Sequence, residues 1–267
     1  MTPRVLLRDR CAGQWLALTE PCAIFAAHDT ASVVPVLEAA ADAARNGAYH
    51  VAGFLGYEAA PALDPTLEVR SPGWLPLAWF TAFARATPVA APTPHGPAPQ
   101  LEWHPSVDEP AYRRAIEAIR ELIRSGDTYQ VNFSYRLRAA LDAATRADPE
   151  RLFTAMVARQ PDGLGAYIET DDWAIACASH ELFFAWEQGR LISRPMKGTV
   201  ERGADPATDG ARRAWLAASA KNRAENLMIT DMVRNDLGRI ARPGTVCPTD
   251  LFKLEQHPTL WQMTSTV

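Results

Sequence analysis

Three short apolar segments separated by tight turns constrain the fold of this chain more than any other feature of its sequence. They are GAYIET (165–170), WAIACAS (173–179) and LFFAWEQGRLISR (182–194), and the last contains the turn pair Gln188-Gly189. Segments of this length and composition are typical of β-strands. Because short connections join antiparallel neighbours, the sequence predicts antiparallel pairing in this region.

Helical patterns occur on both sides of these segments. A helix is predicted from Asp108, a residue type that caps helices, to Gly126, with Pro110 in its first turn. Further helices are predicted over SVVPVLEAAADAARNG (32–47) and around residues 208–218 and 220–236. Between them, TYQVNFSYRLR (128–138) alternates apolar and polar residues, which predicts another strand.

A proline-rich stretch divides the chain. ATPVAAPTPHGPAPQ (86–100) has five prolines and one glycine, a composition that excludes regular structure and indicates a surface loop or linker. We therefore predict an N-terminal segment over 1–85, a Pro-rich linker or loop over 86–105, and a second domain over 106–267.

Charge and cysteine usage exclude several function classes. The 267 residues carry 27 Lys and Arg against 31 Asp and Glu, so the net charge is −4, which gives no sign of a nucleic-acid partner. No apolar run approaches the length of a membrane span, so no membrane partner is expected. The four cysteines show no CxxC spacing and indicate reduced thiols in a cytoplasmic protein.

The segment SRPMKGTVERG (193–203) holds the first candidate site residue, Lys197. A lysine must lose its proton before it can act as a nucleophile, and nearby cations and burial both favour the neutral amine. Arg194 and Arg202 supply cations close in sequence, and Gly198 allows a substrate to approach the backbone. The alternative is a basic loop whose lysine is only solvated.

Two carboxylates are further candidates. Glu225 lies on an apolar face of the 220–236 helix, where it needs a partner: either a metal ion or an ion pair with Lys221 at i−4. Glu181 precedes the apolar residues Leu182 and Phe183. Desolvation there would favour the protonated carboxyl and suit a general acid, whereas the alternative is a polar residue at a strand entrance.

Several motifs together resemble a known family. GFLGYEAAP, GDTYQVNFS, PMKGT, AENLMITDMVRNDLGRI and LFKLEQHPTLWQMTSTV occur in the order seen in chorismate-utilising enzymes. The chain is most similar to the aminodeoxychorismate synthase component I family, and anthranilate synthase component I belongs to the same superfamily. The resemblance implies an α+β fold of packed, largely antiparallel β-sheets flanked by helices, with 106–267 as part of the chorismate-binding catalytic domain.

The resemblance also assigns roles to individual residues. Lys197 matches the nucleophile that attacks chorismate and displaces its hydroxyl, and Glu181 matches the acid that helps this hydroxyl leave. Gly198 and Thr199 match chorismate contacts, and Glu225 matches one ligand of a Mg²⁺ ion that binds the ring carboxylate of the substrate. Anthranilate synthases usually carry alanine where this chain has Lys197.

The activity implied is that of a magnesium-dependent transferase. It converts chorismate to 4-amino-4-deoxychorismate with ammonia from a glutamine amidotransferase partner, for 4-aminobenzoate and folate biosynthesis. One alternative is anthranilate synthase component I or another chorismate enzyme. An alternative of a different class is an inactive chorismate-binding or partner-docking fragment.

Two departures from the family pattern stand out. Gln262 occupies the position of a family histidine, and glutamine cannot carry a proton. Relatives continue beyond the position of Val267 into a segment with a second Mg²⁺-binding glutamate and the last sheet strands. The resemblance therefore implies that the 267 residues hold only part of the active site.

Overall fold

A computed structural model describes residues 2–45, 47 and 49–267, so Asn46, within the predicted 32–47 helix, lies outside the described residues. The strands are β1 (Arg4–Arg8), β2 (Trp15–Ala27), β3 (His50–Leu55), β4 (Ala78–Val89), β5 (His104–Pro105), β6 (Leu137–Arg138), β7 (Leu164–Glu169), β8 (Ala174–Ser179), β9 (Leu182–Glu187), β10 (Arg190–Arg194), β11 (Met196–Glu201), β12 (Thr249–Gln256) and β13 (Leu260–Thr266). The helices are α1 (Thr30–Arg45), α2 (Ala60–Leu63), α3 (Glu109–Ser125), α4 (Ala143–Ala147), α5 (Glu150–Arg159), α6 (Pro206–Ala218) and α7 (Ala220–Gly238).

The chain forms two compact units that do not follow its linear order. The first comprises Met1–Pro94 and Phe153–His180, and the second comprises His95–Leu152 and Glu181–Val267. The three-part domain division at residues 85 and 105 stays a prediction. The first residues of the predicted linker, 86–89, are not irregular, because β4 pairs with β2 as far as Val89.

The first unit is built on a six-stranded sheet of order β3-β4-β2-β1-β7-β8. Consecutive residues of each strand face opposite sides, so Val5 and Leu6 enter different cores. One face buries Val5 with Trp79 and Phe83, and the other buries Leu6 with Phe153 of α5. At Gly53, a side chain would place its Cβ 2.0 Å from the Trp79 carbonyl oxygen, so the backbones of β3 and β4 approach each other closely there.

The second unit contains a hairpin and a three-stranded sheet. In the hairpin of β9 and β10, Gln188 and Gly189 both have positive φ, as the predicted tight turn requires. In the sheet of order β11-β13-β12, Met263 of β13 packs with Leu216 of α6 and Trp261. All strand pairings of the described residues are antiparallel, and helices flank the sheets, so the α+β fold is confirmed.

Helix ends largely follow the predicted signals. The Asp108 side chain accepts a hydrogen bond from the Ala111 amide at 2.7 Å, and α3 ends at Gly126 in the left-handed conformation. Ser219 separates α6 from α7 and caps α7 by accepting from the Asn222 amide at 3.3 Å.

The strand predicted over 128–138 is wrong except at Leu137–Arg138, which pair with β5. Residues 129–136 form no ladder. An alternating pattern favours an extended backbone, but a β-strand also needs a neighbouring strand with which its backbone N–H and C=O groups form hydrogen bonds. This segment contacts α3 instead, where the Tyr112 ring lies 5.7 Å from that of Phe133 and 6.2 Å from that of Tyr135.

Among the described residues, no helix has the length and apolar character needed to cross a membrane.

Candidate active site

The strand β11 carries Lys197, Gly198 and Thr199, and its backbone is irregular at this point. The register between β11 and β13 shifts between Met196 and Thr199, and Gly198 has a φ of 100°. A Cβ at Gly198 would lie 3.1 Å from the Asn222 Cβ and 3.3 Å from Leu216 and Met263 atoms. Only glycine combines this φ with this close contact without strain.

Three side chains, from the residue before β9, from α7 and from β13, bind the backbone from Met196 to Gly198. The Met196 amide donates to Glu181 Oε1 at 3.2 Å, and Asn226 Nδ2 of α7 donates to the Lys197 carbonyl at 3.4 Å. Gln262 Nε2 of β13 donates to the Gly198 carbonyl at 3.0 Å. The fold thus places the carboxylate of Glu181 next to the residue that precedes Lys197.

Lys197 is a partly buried residue, and its amine makes no hydrogen bond or ion pair with the part of the chain that the structure describes. The two arginines predicted to act on it are each paired with a carboxylate. Arg194 Nη1 lies 3.4 Å from Glu255 Oε1, and Arg202 Nε lies 2.7 Å from Asp209 Oδ1. Each of these two cations therefore has a carboxylate next to it that offsets part of its charge.

Asp209, at the start of α6, is the centre of a polar cluster at the end of β11. Both carboxylate oxygens accept from Arg202 at 2.7 Å, and Oδ1 also accepts from the Gly203 amide and from Trp261 Nε1, each at 2.9 Å. These donors, Arg202 first, stabilise the ionised carboxylate and hold the pKa of Asp209 far below its ordinary value. The cluster fixes the corner where β11 leads into α6.

Glu181 lies in a more open environment than its sequence context predicts. Its side chain is exposed, and the neighbouring Phe183 and Phe184 side chains are 83% and 53% exposed. The Phe183 and Phe184 side chains therefore leave the Glu181 side chain exposed. Its hydrogen bond to the Met196 amide is a link that the sequence pattern did not indicate.

Glu225 lies on α7 directly before Asn226. It is partly buried, and its Oε1 lies 3.6 Å from the Nζ of Lys221, whose side chain is 80% exposed. No group of three or more His, Cys, Asp or Glu side chains suited to a metal ion occurs within the described residues. Glu225 fits a Mg²⁺ site as one hard oxygen ligand, since Mg²⁺ retains several waters and uses one or two carboxylates.

Sequence reasoning assigned no role to the buried polar residues behind β11. Asn226 is fully buried, donates to the Met263 carbonyl at 3.2 Å and accepts from the Ser265 hydroxyl at 2.5 Å. The available signal was an asparagine among apolar residues on a helix face that the fold buries. A buried amide has to find partners, and here they are in β11 and β13.

Comparison with known protein families identifies the class to which this chain belongs. The model of the chorismate binding enzyme family matches residues 2–267. This chain belongs to that family.

Aminodeoxychorismate synthases are among its relatives. The chain is 37% identical over 191 residues to aminodeoxychorismate synthase component 1 of Klebsiella aerogenes, covering 72% of this chain and 40% of the relative. It is 38% identical over 209 residues to aminodeoxychorismate synthase of Streptomyces pristinaespiralis, covering 75% and 28%. This chain therefore spans well under half the length of these two relatives.

Other chorismate enzymes are also similar. An anthranilate synthase alpha subunit 1 of Oryza sativa is 30% identical over 162 residues, covering 61% of this chain and 27% of the relative. Among solved structures, one described as a 2,3-dihydroxybenzoate-specific isochorismate synthase of Bacillus anthracis has a TM-score of 0.72 at 16% identity, covering 99% of this chain and 66% of that one. At that identity the likeness supports the fold alone.

Proposed function

We propose that this chain supplies the chorismate-amination site of an aminodeoxychorismate synthase, which forms 4-amino-4-deoxychorismate for 4-aminobenzoate and folate biosynthesis. One observation carries the proposal. Lys197 lies in the irregular part of β11 without a carboxylate partner among the described residues, one residue from the amide that binds Glu181. The relatives named aminodeoxychorismate synthase support the substrate and product.

The reaction has two substitution steps. The neutral amine of Lys197 forms a C–N bond with the ring of chorismate, while the C–O bond of the ring hydroxyl breaks and Glu181 supplies the proton with which it leaves as water. Ammonia then attacks the ring, and the bond to Lys197 breaks to return the free amine. Gly198 and Thr199, which directly follow Lys197 on β11, contact chorismate in this proposal.

Glu225 would provide one carboxylate ligand to Mg²⁺, which supplies positive charge against the ring carboxylate of the substrate when it is bound. Lys221 is the competing cation at this carboxylate, since its Nζ lies 3.6 Å from Oε1. Because Lys221 is largely exposed, the cost of separating this pair is small.

The source of ammonia in this proposal is a glutamine amidotransferase partner. The designation "component 1" of the Klebsiella relative supports a second component. The cytoplasmic location expected from cysteine usage belongs to the same proposal, and none of the four cysteines forms a disulfide with another described residue.

Product analysis tests the proposal. The protein is supplied with chorismate, Mg²⁺ and ammonium at alkaline pH, and the products are separated by chromatography with Lys197→Ala as the matched control. We expect 4-amino-4-deoxychorismate from the wild type and none from the variant. Anthranilate as the main product would favour the anthranilate synthase alternative, and binding of chorismate without turnover would favour the inactive fragment.

A further inference from the structure

Gln262 is a buried polar residue on β13, directly opposite Thr199 of β11. Gln262 is 6% exposed, so its carboxamide has to find hydrogen-bond partners within the protein rather than in bulk water. A buried amide without partners is costly, so its hydrogen bonds indicate what the side chain does.

Both ends of the carboxamide bind the segment that follows Lys197. Nε2 donates to the Gly198 carbonyl at 3.0 Å, and Oε1 accepts from the Thr199 hydroxyl at 2.7 Å. The carbonyl can only accept, which fixes the orientation of the amide. Because the register of β11 against β13 shifts between Met196 and Thr199, the side chain of Gln262 holds the backbone where the regular ladder is interrupted.

We propose that Gln262 is a positioning residue for the amine of Lys197 and for the chorismate contacts at Gly198 and Thr199. This inference rests on the proposed function of Lys197. The position requires one donor and one acceptor at the same time, directed at a carbonyl and a hydroxyl. It does not require a group that carries a proton.

The donor and acceptor requirement distinguishes possible replacements. A neutral histidine has one N–H donor and one acceptor nitrogen, whereas its protonated form has two donors and cannot accept from Thr199. In Gln262→His, positioning should hold above the histidine pKa of about 6.5 and fail below it. In Gln262→Leu, the Gly198 carbonyl and the Thr199 hydroxyl lose their partner at every pH.

The test measures kcat and KM for chorismate from about pH 5.5 to 8.5 with Mg²⁺ and ammonium. We expect Gln262→Leu to raise KM by about tenfold or more across the range, since the Gly198 carbonyl and the Thr199 hydroxyl lose the partner that holds them in place. Gln262→His should resemble the wild type at the alkaline end and converge on Gln262→Leu at the acid end. At each pH the KM of the variant is divided by that of the wild type, so the pH dependence that the proteins share, including that of free ammonia, cancels.

Thr264→Val is the matched control. Thr264 lies two residues along β13, on the same strand face, is 1% exposed, and its hydroxyl has no hydrogen-bond partner among the described residues. Removing that hydroxyl should leave both the KM and its pH dependence as in the wild type.

Two results would overturn the inference: wild-type KM and kcat in Gln262→Leu, or a ratio of Gln262→His to wild-type KM that does not rise as the pH falls. If circular dichroism shows that Gln262→Leu does not fold, the profile of Gln262→His decides alone. A wild-type protein that neither binds nor aminates chorismate overturns the proposed function and this inference with it. An active wild type with an indifferent Gln262 overturns the inference alone.

Discussion

At the residue scale, two carboxylates offset the positive charge of the arginines at the two ends of β11. Glu255 and Asp209 pair with the two arginines that flank Lys197 in sequence, so the net field of these arginines at the amine is reduced. In the proposed mechanism, burial under bound chorismate therefore has to favour the neutral amine. Proximity in sequence indicated the cations correctly but could not reveal partners that are 7 and 61 residues away.

Asp209→Asn should lower stability in a pH-dependent way. The pKa of Asp209 in the folded protein is below its ordinary value of 3.8, so its ionised form contributes stability above that pH. This contribution is lost as pH falls toward the folded-state pKa. The gap in unfolding free energy between wild type and variant should be largest near pH 7 and narrow below about pH 4.

Urea denaturation at a series of pH values measures this gap. Asp231→Asn is the control, since Asp231 forms an exposed pair with Arg234 at 2.6 Å, and such surface pairs contribute little. A gap for Asp209→Asn that stays constant between pH 7 and the acid range would contradict the assigned role of the carboxylate.

At the element scale, Gly198→Ala and Gly210→Ala should have opposite effects. Alanine at Gly198 meets a φ of 100° and a 3.1 Å contact with Asn222, so the free energy of unfolding should fall by at least about 1 kcal/mol. Gly210 lies in α6 with no atom within 4 Å of an added Cβ, so alanine should raise it by about 0.5–1 kcal/mol. Thermal denaturation compares them, and equal shifts would contradict the strained geometry of β11.

Local signals predicted helices and hairpins because those elements satisfy their backbone groups within a short stretch. The cap at Asp108 and the turn at Gln188-Gly189 are of this kind. The conformation of segment 129–136 depends on contacts outside the segment. The hydrogen bond from Asn226 to the Lys197 carbonyl likewise joins residues far apart in sequence. The resemblance identified Lys197, Glu181 and Glu225 as candidates, but alternation and spacing could not show which side chains hold them.

On helix α7, the ammonium of Lys221 would compete with Mg²⁺ for the carboxylate of Glu225. If Mg²⁺ binds this carboxylate in the chorismate complex, Glu225→Gln should weaken the Mg²⁺ dependence of chorismate binding. Lys221→Ala should lower the Mg²⁺ concentration needed, because it removes the ammonium 3.6 Å from Oε1. Calorimetric titration of chorismate at several Mg²⁺ concentrations measures both effects, and an unchanged Mg²⁺ dependence in Glu225→Gln would exclude this residue as a ligand.

At the scale of the whole molecule, chain order and compact units differ. The strand β7 pairs with β1 and β8 pairs with β7 in the first unit, although both follow α3 and α4 of the second unit in sequence. The Pro-rich composition indicated a stretch of irregular structure. The pairing of β1 with β7 joins residues about 160 positions apart, and no local sequence pattern predicts such a pairing. The candidate site residues Lys197, Glu181 and Glu225 all lie within the second unit.

The central claim is that Lys197 forms a covalent bond to chorismate. Intact-mass spectrometry of the protein incubated with chorismate and Mg²⁺, without ammonia, tests it most directly. We predict a mass increase equal to chorismate less one water on the wild type and none on Lys197→Ala, which should still bind chorismate. Lys197→Arg should show no adduct either, because guanidinium stays protonated. An adduct on Lys197→Ala, or near wild-type formation of 4-amino-4-deoxychorismate by it, would contradict the account.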